Sequence, residues 1–83
     1  MNMNKENLHY IAYKLNGLKL DNLEVVSIDG EYCDVIYRGN EYKKCRIEPM
    51  KDNHVFIGLP AHWWFGEYCE DYEEGPIINL DLV

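Results

Sequence analysis

The chain has 83 residues, of which 47% are hydrophobic and 28% charged, and its formal net charge is −7. This apolar fraction is too high for a disordered chain, so we expect residues 1–83 to form a single compact domain with a modest core. No apolar stretch approaches the roughly 20 residues of a membrane span, and the charged N-terminus lacks the apolar core of a signal peptide. We therefore expect a cytoplasmic protein with no membrane partner.

The first predicted element is an amphipathic helix from about residue 4 to residue 16. Apolar residues recur at the i, i+3, i+4 and i+7 spacing of one helical face, at Leu8, Ile11, Ala12 and Leu15. Asn4 is a suitable N-cap and Gly17 a suitable terminating residue.

Three strands follow, because the period of the apolar residues changes to two. The predicted strands are Leu23–Ile28, Tyr32–Arg38 and Glu41–Ile47. The dipeptides Asp29-Gly30 and Gly39-Asn40 separate them, and both tolerate the positive φ of a two-residue hairpin turn. This pattern predicts a three-stranded antiparallel meander.

Each face of the meander is half apolar in this register, so the sequence leaves open which face is buried. One face collects Leu23, Val25, Ile36, Cys45 and Ile47, together with Asp34. The other face collects Val26, Ile28, Cys33, Val35, Tyr37 and Tyr42, together with Lys44 and Arg46. Two such faces are typical of a small curled sheet or barrel that a helix covers on one side.

The rest of the chain predicts two more strands around an acidic loop. His54–Leu59 is a short apolar run that predicts a covered fourth strand, and Ile77–Val83 predicts a fifth. Between them, Pro60-Ala61 is a suitable start for a helical turn that carries the aromatic residues 63–65. The predicted fold is therefore α+β, with an N-terminal helix packed on a curled antiparallel sheet or small barrel of about five strands.

The sequence lacks the residue patterns of common catalytic and metal sites. Zinc sites usually take ligands from close pairs such as C-x2-C, whereas Cys33, Cys45 and Cys69 are far apart in the chain. There is no Gly-rich phosphate loop and no nucleophile motif, and the carboxylates beside Cys69 disfavour a reactive thiolate. We therefore expect no enzymatic activity, no metal, no cofactor and three reduced thiols.

The uneven distribution of charge indicates a functional surface. Residues 1–51 contain all eight Lys and Arg and eight of the fifteen acids, so residues 52–83, with seven acids, carry the whole charge of −7. Exposed aromatic rings surrounded by carboxylates are typical of a protein-binding surface. The candidate binding residues are Trp63, Trp64, Glu67, Tyr68, Glu70, Asp71, Tyr72, Glu73 and Glu74. The alternative is that Trp63, Trp64 and Phe65 are core or cap residues.

These observations predict a small acidic, non-enzymatic protein that binds a basic partner protein. In size and charge the chain resembles small acidic nucleic-acid mimics that inhibit nucleic-acid-handling proteins, so an inhibitor is the favoured form. Direct nucleic-acid binding is not expected at a pI of 4.7. The alternative is a small barrel module that contacts nucleic acid or a partner protein through the basic hairpin of residues 38–51, with Arg38, Lys43, Lys44, Arg46 and Lys51. A third possibility is a structural domain without a binding role.

Overall fold

A computed structural model describes residues 5–83, with side chains from Leu8 onward, and shows one N-terminal helix packed with a curled antiparallel sheet. The predicted α+β fold is confirmed. The helix, α1, is Lys5–Leu15, and a 3-10 helix covers Leu80–Leu82. The strands are β1 Lys19–Leu20, β2 Leu23–Asp29, β3 Tyr32–Tyr37, β4 Asn40–Pro49, β5 His54–Gly58, β6 His62–Trp64, β7 Glu67–Cys69 and β8 Ile77–Asn79.

Six strands form the main sheet, in the order β1-β2-β3-β4-β5-β8, with antiparallel neighbours throughout. The sheet curls into a half-barrel around a core that α1 helps to cover. Strands β6 and β7 form a separate two-stranded sheet. Within residues 5–83, no helix combines the length and the apolar composition that crossing a bilayer requires.

Helix α1 agrees with the prediction to within about one residue at each end. Ile11 and Leu15 lie in the core, as the apolar stripe predicts. Gly17 follows the helix with a φ of +72°, and the Leu18 N–H donates to the Leu15 carbonyl at 3.0 Å. A residue in this left-handed conformation is a common helix terminus. The predicted N-cap, Asn4, lies outside the described residues.

The meander of β2, β3 and β4 is confirmed, but its turns lie one residue from their predicted positions. The β2–β3 loop is Gly30-Glu31 rather than Asp29-Gly30, and the β3–β4 loop is Arg38-Gly39 rather than Gly39-Asn40. Arg38 and Gly39 have φ values of +52° and +82°. A two-residue turn with positive φ at both positions matches the twist of the flanking strands. Arg38 therefore adopts a positive φ, although residues with a side chain rarely do so.

A β-bulge in β2 changes which side chains share a face. Val25 lies opposite Val35, and Ser27 lies opposite Asp34, so Val26 is an extra residue without a partner in β3. An extra residue reverses the alternation of the strand beyond it. Val25 therefore points to the same side as Val35, whereas the unbulged register places the two on opposite faces.

A second bulge, in β4, changes which side chains share a face where β3 pairs with β4. Cys33 lies opposite Cys45 and Val35 opposite Tyr42, and Lys44 within the bulge has a φ of +58°. The buried face consequently combines members of both predicted faces. It consists of Leu23, Val25, Cys33, Val35, Cys45 and Ile47.

The C-terminal part of the chain is only partly as predicted. Strand β5 confirms the fourth strand, but β8 ends at Asn79 rather than continuing to Val83. The Asn79 side chain accepts a hydrogen bond from the Asp81 N–H at 2.9 Å and caps the 3-10 helix. This turn keeps Leu80 in the core and leaves Leu82 81% exposed, so the predicted fifth strand is wrong for residues 80–83.

Candidate binding surface

The segment predicted to bind a partner folds as a β-hairpin of β6 and β7. Its register places three pairs opposite each other: His62 with Cys69, Trp63 with Tyr68, and Trp64 with Glu67. The loop residues Phe65 and Gly66 have φ values of +49° and +83°, which suit a two-residue hairpin turn. The predicted helical turn at Pro60-Ala61 is therefore wrong. Consecutive aromatic residues favour a strand, and glycine at the second turn position favours the hairpin.

One face of the hairpin carries a pair of exposed aromatic rings. Trp63 is 70% exposed and Tyr68 55% exposed, and their ring centroids lie 5.3 Å apart. Phe65, at the tip, is 90% exposed and packs edge-on against Trp64 at 4.7 Å. The alternative that these residues fill the core is therefore wrong for Trp63 and Phe65, while Trp64 is half-buried.

The other face of the hairpin turns toward the main sheet. Successive side chains of a strand point to opposite sides, so His62, Trp64 and Cys69 share this inner face. The His62 ring packs edge-on against Tyr42 of β4 at 5.0 Å. His62, Trp64 and Tyr42 line a cavity of about 350 Å³, together with Arg38 and Glu74.

Five carboxylates lie on the hairpin and on the connection that follows it, and all five are exposed: Glu67, Glu70, Asp71, Glu73 and Glu74. Glu67 lies on β7, and the other four lie in the connection of residues 70–76 between β7 and β8. Among the side chains described from Leu8 onward, the ion pair is Arg46 with Glu48 at 3.6 Å, so none of these five carboxylates forms a direct ion pair with a Lys or Arg there. We call the rings of Trp63, Phe65 and Tyr68 and these five carboxylates the acidic aromatic face.

Hydrogen bonds attach the acidic connection to the sheet and to the hairpin. The Leu59 N–H donates to the Glu74 carbonyl at 2.8 Å, and the Tyr72 N–H donates to the Leu59 carbonyl at 2.7 Å. The Ala61 N–H donates to the Asp71 carboxylate at 2.5 Å. These bonds hold the carboxylates beside the hairpin in a fixed arrangement. Tyr72 is half-buried, and its backbone N–H helps to position this connection.

The basic hairpin of residues 38–51 is the alternative surface. Its five basic side chains are exposed: Arg38, Lys43, Lys44, Arg46 and Lys51. However, the Arg46 side chain pairs with Glu48, and the backbone N–H of Lys44 donates to the Asp34 carboxylate at 3.0 Å. Tyr37 and Tyr42, which could have stacked on bases, are half-buried. Half-buried tyrosines and polar contacts within the sheet disfavour a surface on which bases stack.

The three cysteines are free thiols, as predicted, and all three are buried. Burial, with a smaller contribution from the charge of Asp34, raises the pKa of Cys33 to about 12. Burial also raises the pKa of Cys45 to about 12, with Cys33 and Asp34 adding to it. Burial and the hydrogen bond to Glu74 raise the pKa of Cys69 as well. Raised pKa values keep the thiols protonated and weakly nucleophilic.

The structure brings together three potential ligands that the sequence keeps apart. His62, Cys69 and Glu74 each offer one ligand atom, and these atoms lie within 4.8 Å of one another. Spacing along the chain does not reveal this group, because zinc ligands usually come in pairs two to four residues apart and these three residues are seven and five apart. The Phe-Gly dipeptide midway between His62 and Cys69 was the available signal, since a hairpin turn there makes the two residues cross-strand partners.

No protein-family model, curated protein or solved structure matches this chain, so similarity to known proteins assigns no function to the acidic aromatic face.

Proposed function

We propose that this protein is a small non-enzymatic binding protein that engages a basic partner protein through the acidic aromatic face. One observation carries the proposal. The exposed pair of Trp63 and Tyr68 lies on a hairpin that, with the connection after it, carries five exposed carboxylates, none of them ion-paired with a described Lys or Arg. Aromatic rings of this kind supply most of the binding energy at protein interfaces, and surrounding charges supply steering and specificity.

The arrangement is rigid before binding, which favours affinity. Cross-strand pairing fixes Trp63 against Tyr68, and backbone hydrogen bonds fix the acidic connection against Leu59. A preorganised surface loses less conformational entropy on association than a flexible loop does. The backbone that carries the five carboxylates is therefore held in place before a partner binds.

The favoured partner is a protein that handles nucleic acid. Its cationic groove would accept carboxylates in place of phosphates, and apolar contacts to Trp63 and Phe65 would hold the complex after the first electrostatic encounter. Binding there excludes nucleic acid from the groove, so the expected outcome is inhibition. The net charge of −7 opposes direct contact with nucleic acid itself.

A capture experiment tests this proposal. The immobilised protein should retain basic nucleic-acid-binding proteins from a cell extract, and added duplex DNA should compete with it for them. A variant with Glu67, Glu70, Glu73 and Glu74 changed to Gln should lose them. A control with Glu24, Glu31 and Glu41 changed to Gln removes three negative charges from the β2–β4 meander, and it should capture these proteins as the parent does. Equal capture by the parent and the first variant would contradict the proposal.

A gel shift separates the proposal from the alternative surface. Labelled single-stranded and duplex oligonucleotides at low salt should not be retarded by the parent protein. Under the alternative, the protein binds them and Lys43→Ala with Lys44→Ala abolishes the shift. Retardation that depends on these lysines would move the function to the basic hairpin.

A further inference from the structure

His62, Cys69 and Glu74 form a mixed group of one nitrogen, one sulfur and one oxygen ligand. His62 and Cys69 are directly opposite each other on β6 and β7, and Glu74 enters from the connection that follows β7. Their ligand atoms lie within 4.8 Å of one another. Two of the three positions are thus set by strand register, which is one of the more rigid ways a fold can place two side chains.

The second observation is the orientation of the His62 ring. Its Nδ1 lies 2.8 Å from the carbonyl oxygen of Pro60. A carbonyl only accepts, so Nδ1 carries the hydrogen and Nε2 of the neutral ring holds the free lone pair. Metal-binding histidines typically have this arrangement, in which a hydrogen bond from one nitrogen fixes the ring while the other nitrogen binds the metal.

The third observation is the distance between the sulfur and oxygen ligands. The Cys69 thiol donates to Oε2 of Glu74 at an Sγ to Oε2 distance of 3.5 Å. Tetrahedral zinc, with a Zn–S bond of about 2.3 Å and a Zn–O bond of about 2.0 Å, needs an edge of about 3.5 Å. The longest separation in the group, at most 4.8 Å, has to shorten by roughly 1–1.5 Å to reach such an edge. The exposed side chain of Glu74 can supply that movement by a change of rotamer.

We propose that His62 Nε2, Cys69 Sγ and a carboxylate oxygen of Glu74 bind one zinc ion. The thiolate and imidazole ligands favour zinc over Mg²⁺ or Ca²⁺, which take oxygen ligands. Binding breaks the S–H bond of Cys69, and the proton that now lies toward Glu74 is released to solvent. His62 and Glu74 also line the adjoining cavity of about 350 Å³, from which a water molecule can supply the fourth ligand.

The proposal does not depend on the proposed binding function. It departs from the expectation of no metal, which considered only spacing along the sequence. A zinc ion here would join both strands of the hairpin to the 70–76 connection. The bonds from one ion to both segments restrain the segments relative to each other, so zinc should raise the melting temperature of the full chain.

Titration of the full-length, reduced protein with zinc and with cobalt tests the proposal. Native mass spectrometry should show one zinc ion per chain. Cobalt should give the absorption band of a thiolate–cobalt bond together with the visible bands of a tetrahedral site. Cys69→Ser should abolish the thiolate band. His62→Gln and Glu74→Gln should each weaken zinc binding at least about 10-fold, because losing even a residue that only hydrogen-bonds to a metal ligand costs that much affinity.

Two matched controls use side chains of the same types outside the group. His54→Gln and Glu73→Gln should bind zinc and cobalt as the parent does. Circular dichroism and melting curves without metal identify any variant that fails to fold, and Glu74→Gln, an exposed substitution, keeps the test valid if Cys69→Ser does not fold. Absence of stoichiometric zinc at about 100 μM, or binding that survives the substitutions of His62 and Glu74 unchanged, would overturn the proposal.

Discussion

Gly75 lies so close to the backbone of Ile57 that a Cβ atom on it would be 1.7 Å from the Ile57 carbonyl oxygen. The φ of Gly75 is +153°, a conformation that residues with side chains rarely adopt. Next to this contact, the Ile57 N–H donates to the Pro76 carbonyl at 2.9 Å. The close approach of two backbones therefore fixes the end of the acidic connection on β5, and only glycine permits it.

Replacing Gly75 with Ala should consequently destabilise the protein. The added methyl group forces the connection away from β5 and strains the backbone, so we expect the free energy of unfolding to fall by about 2–3 kcal/mol. Denaturant unfolding measures it. Gly66→Ala is the control, because Gly66 also has a positive φ but no atoms within 4 Å of the added Cβ. Equal losses in the two variants would show that the contact with Ile57 is unimportant.

The pKa values of Cys33 and Cys45 predict a loss of stability at alkaline pH. Each pKa rises from its usual value of 9.0 to about 12 in the folded protein, mainly through burial. The folded state thus favours the protonated thiol, whereas the unfolded state ionises from about pH 9 upward. The stability contributed by the thiols is complete below the unfolded pKa and is lost as the pH rises from 9 toward 12.

Melting temperatures measured across this pH range check the prediction. Cys33→Ala should decline less steeply with pH than the parent. Val35→Ala is the matched control, because it opens space in the same core without removing a titratable group, and it should keep the parental slope. A slope unchanged by Cys33→Ala would mean that the thiol does not control alkaline stability.

Fluorescence quenching can probe the charge around Trp63 directly. In the variant Trp64→Phe, Trp63 is the sole tryptophan and remains exposed among the carboxylates. Acrylamide is neutral, so its quenching reports how accessible the Trp63 ring is. Negative potential attracts caesium ions and repels iodide. At low ionic strength, caesium should therefore quench the fluorescence more than this accessibility predicts, and iodide should quench it less. High salt should remove the difference, because it screens exposed charges.

The same measurement on a variant with Glu67, Glu70, Glu73 and Glu74 changed to Gln provides the control. With neutral side chains, the quenching efficiencies of caesium and iodide, each taken relative to free tryptophan, should become similar. If, in the parent and relative to free tryptophan amide, iodide quenches Trp63 as well as caesium does, the ring and the carboxylates do not share one surface.

The helix and the meander could be predicted because their signals are local. Apolar spacing sets α1, and turn glycines at Gly30 and Gly39 mark the hairpins to within one residue. The buried face could not be predicted, because it depends on single extra residues at Val26 and Lys44. A bulge is determined by pairing across strands, and the bond from the Lys44 N–H to Asp34 that accompanies one of them is a tertiary contact.

In the candidate site, too, the local features could be predicted and those set by strand pairing could not. Composition alone identified the exposed acids of residues 67–74, since a segment with no Lys or Arg has no local partners for them. It did not identify the strand pairing that separates exposed Trp63 from half-buried Trp64. Consecutive aromatic residues give no alternation of polar and apolar types, so the period that normally indicates a strand is missing there.

The central claim is that the acidic aromatic face binds a basic protein, and association kinetics with a captured partner test it most directly. The variant with Glu67, Glu70, Glu73 and Glu74 changed to Gln should associate more slowly and lose most of its salt dependence, because rim charges act on the on-rate. Trp63→Ala should instead dissociate faster, by about 30-fold for an anchor worth roughly 2 kcal/mol. If both variants keep the parental association and dissociation rates, the partner binds elsewhere and the claim is wrong.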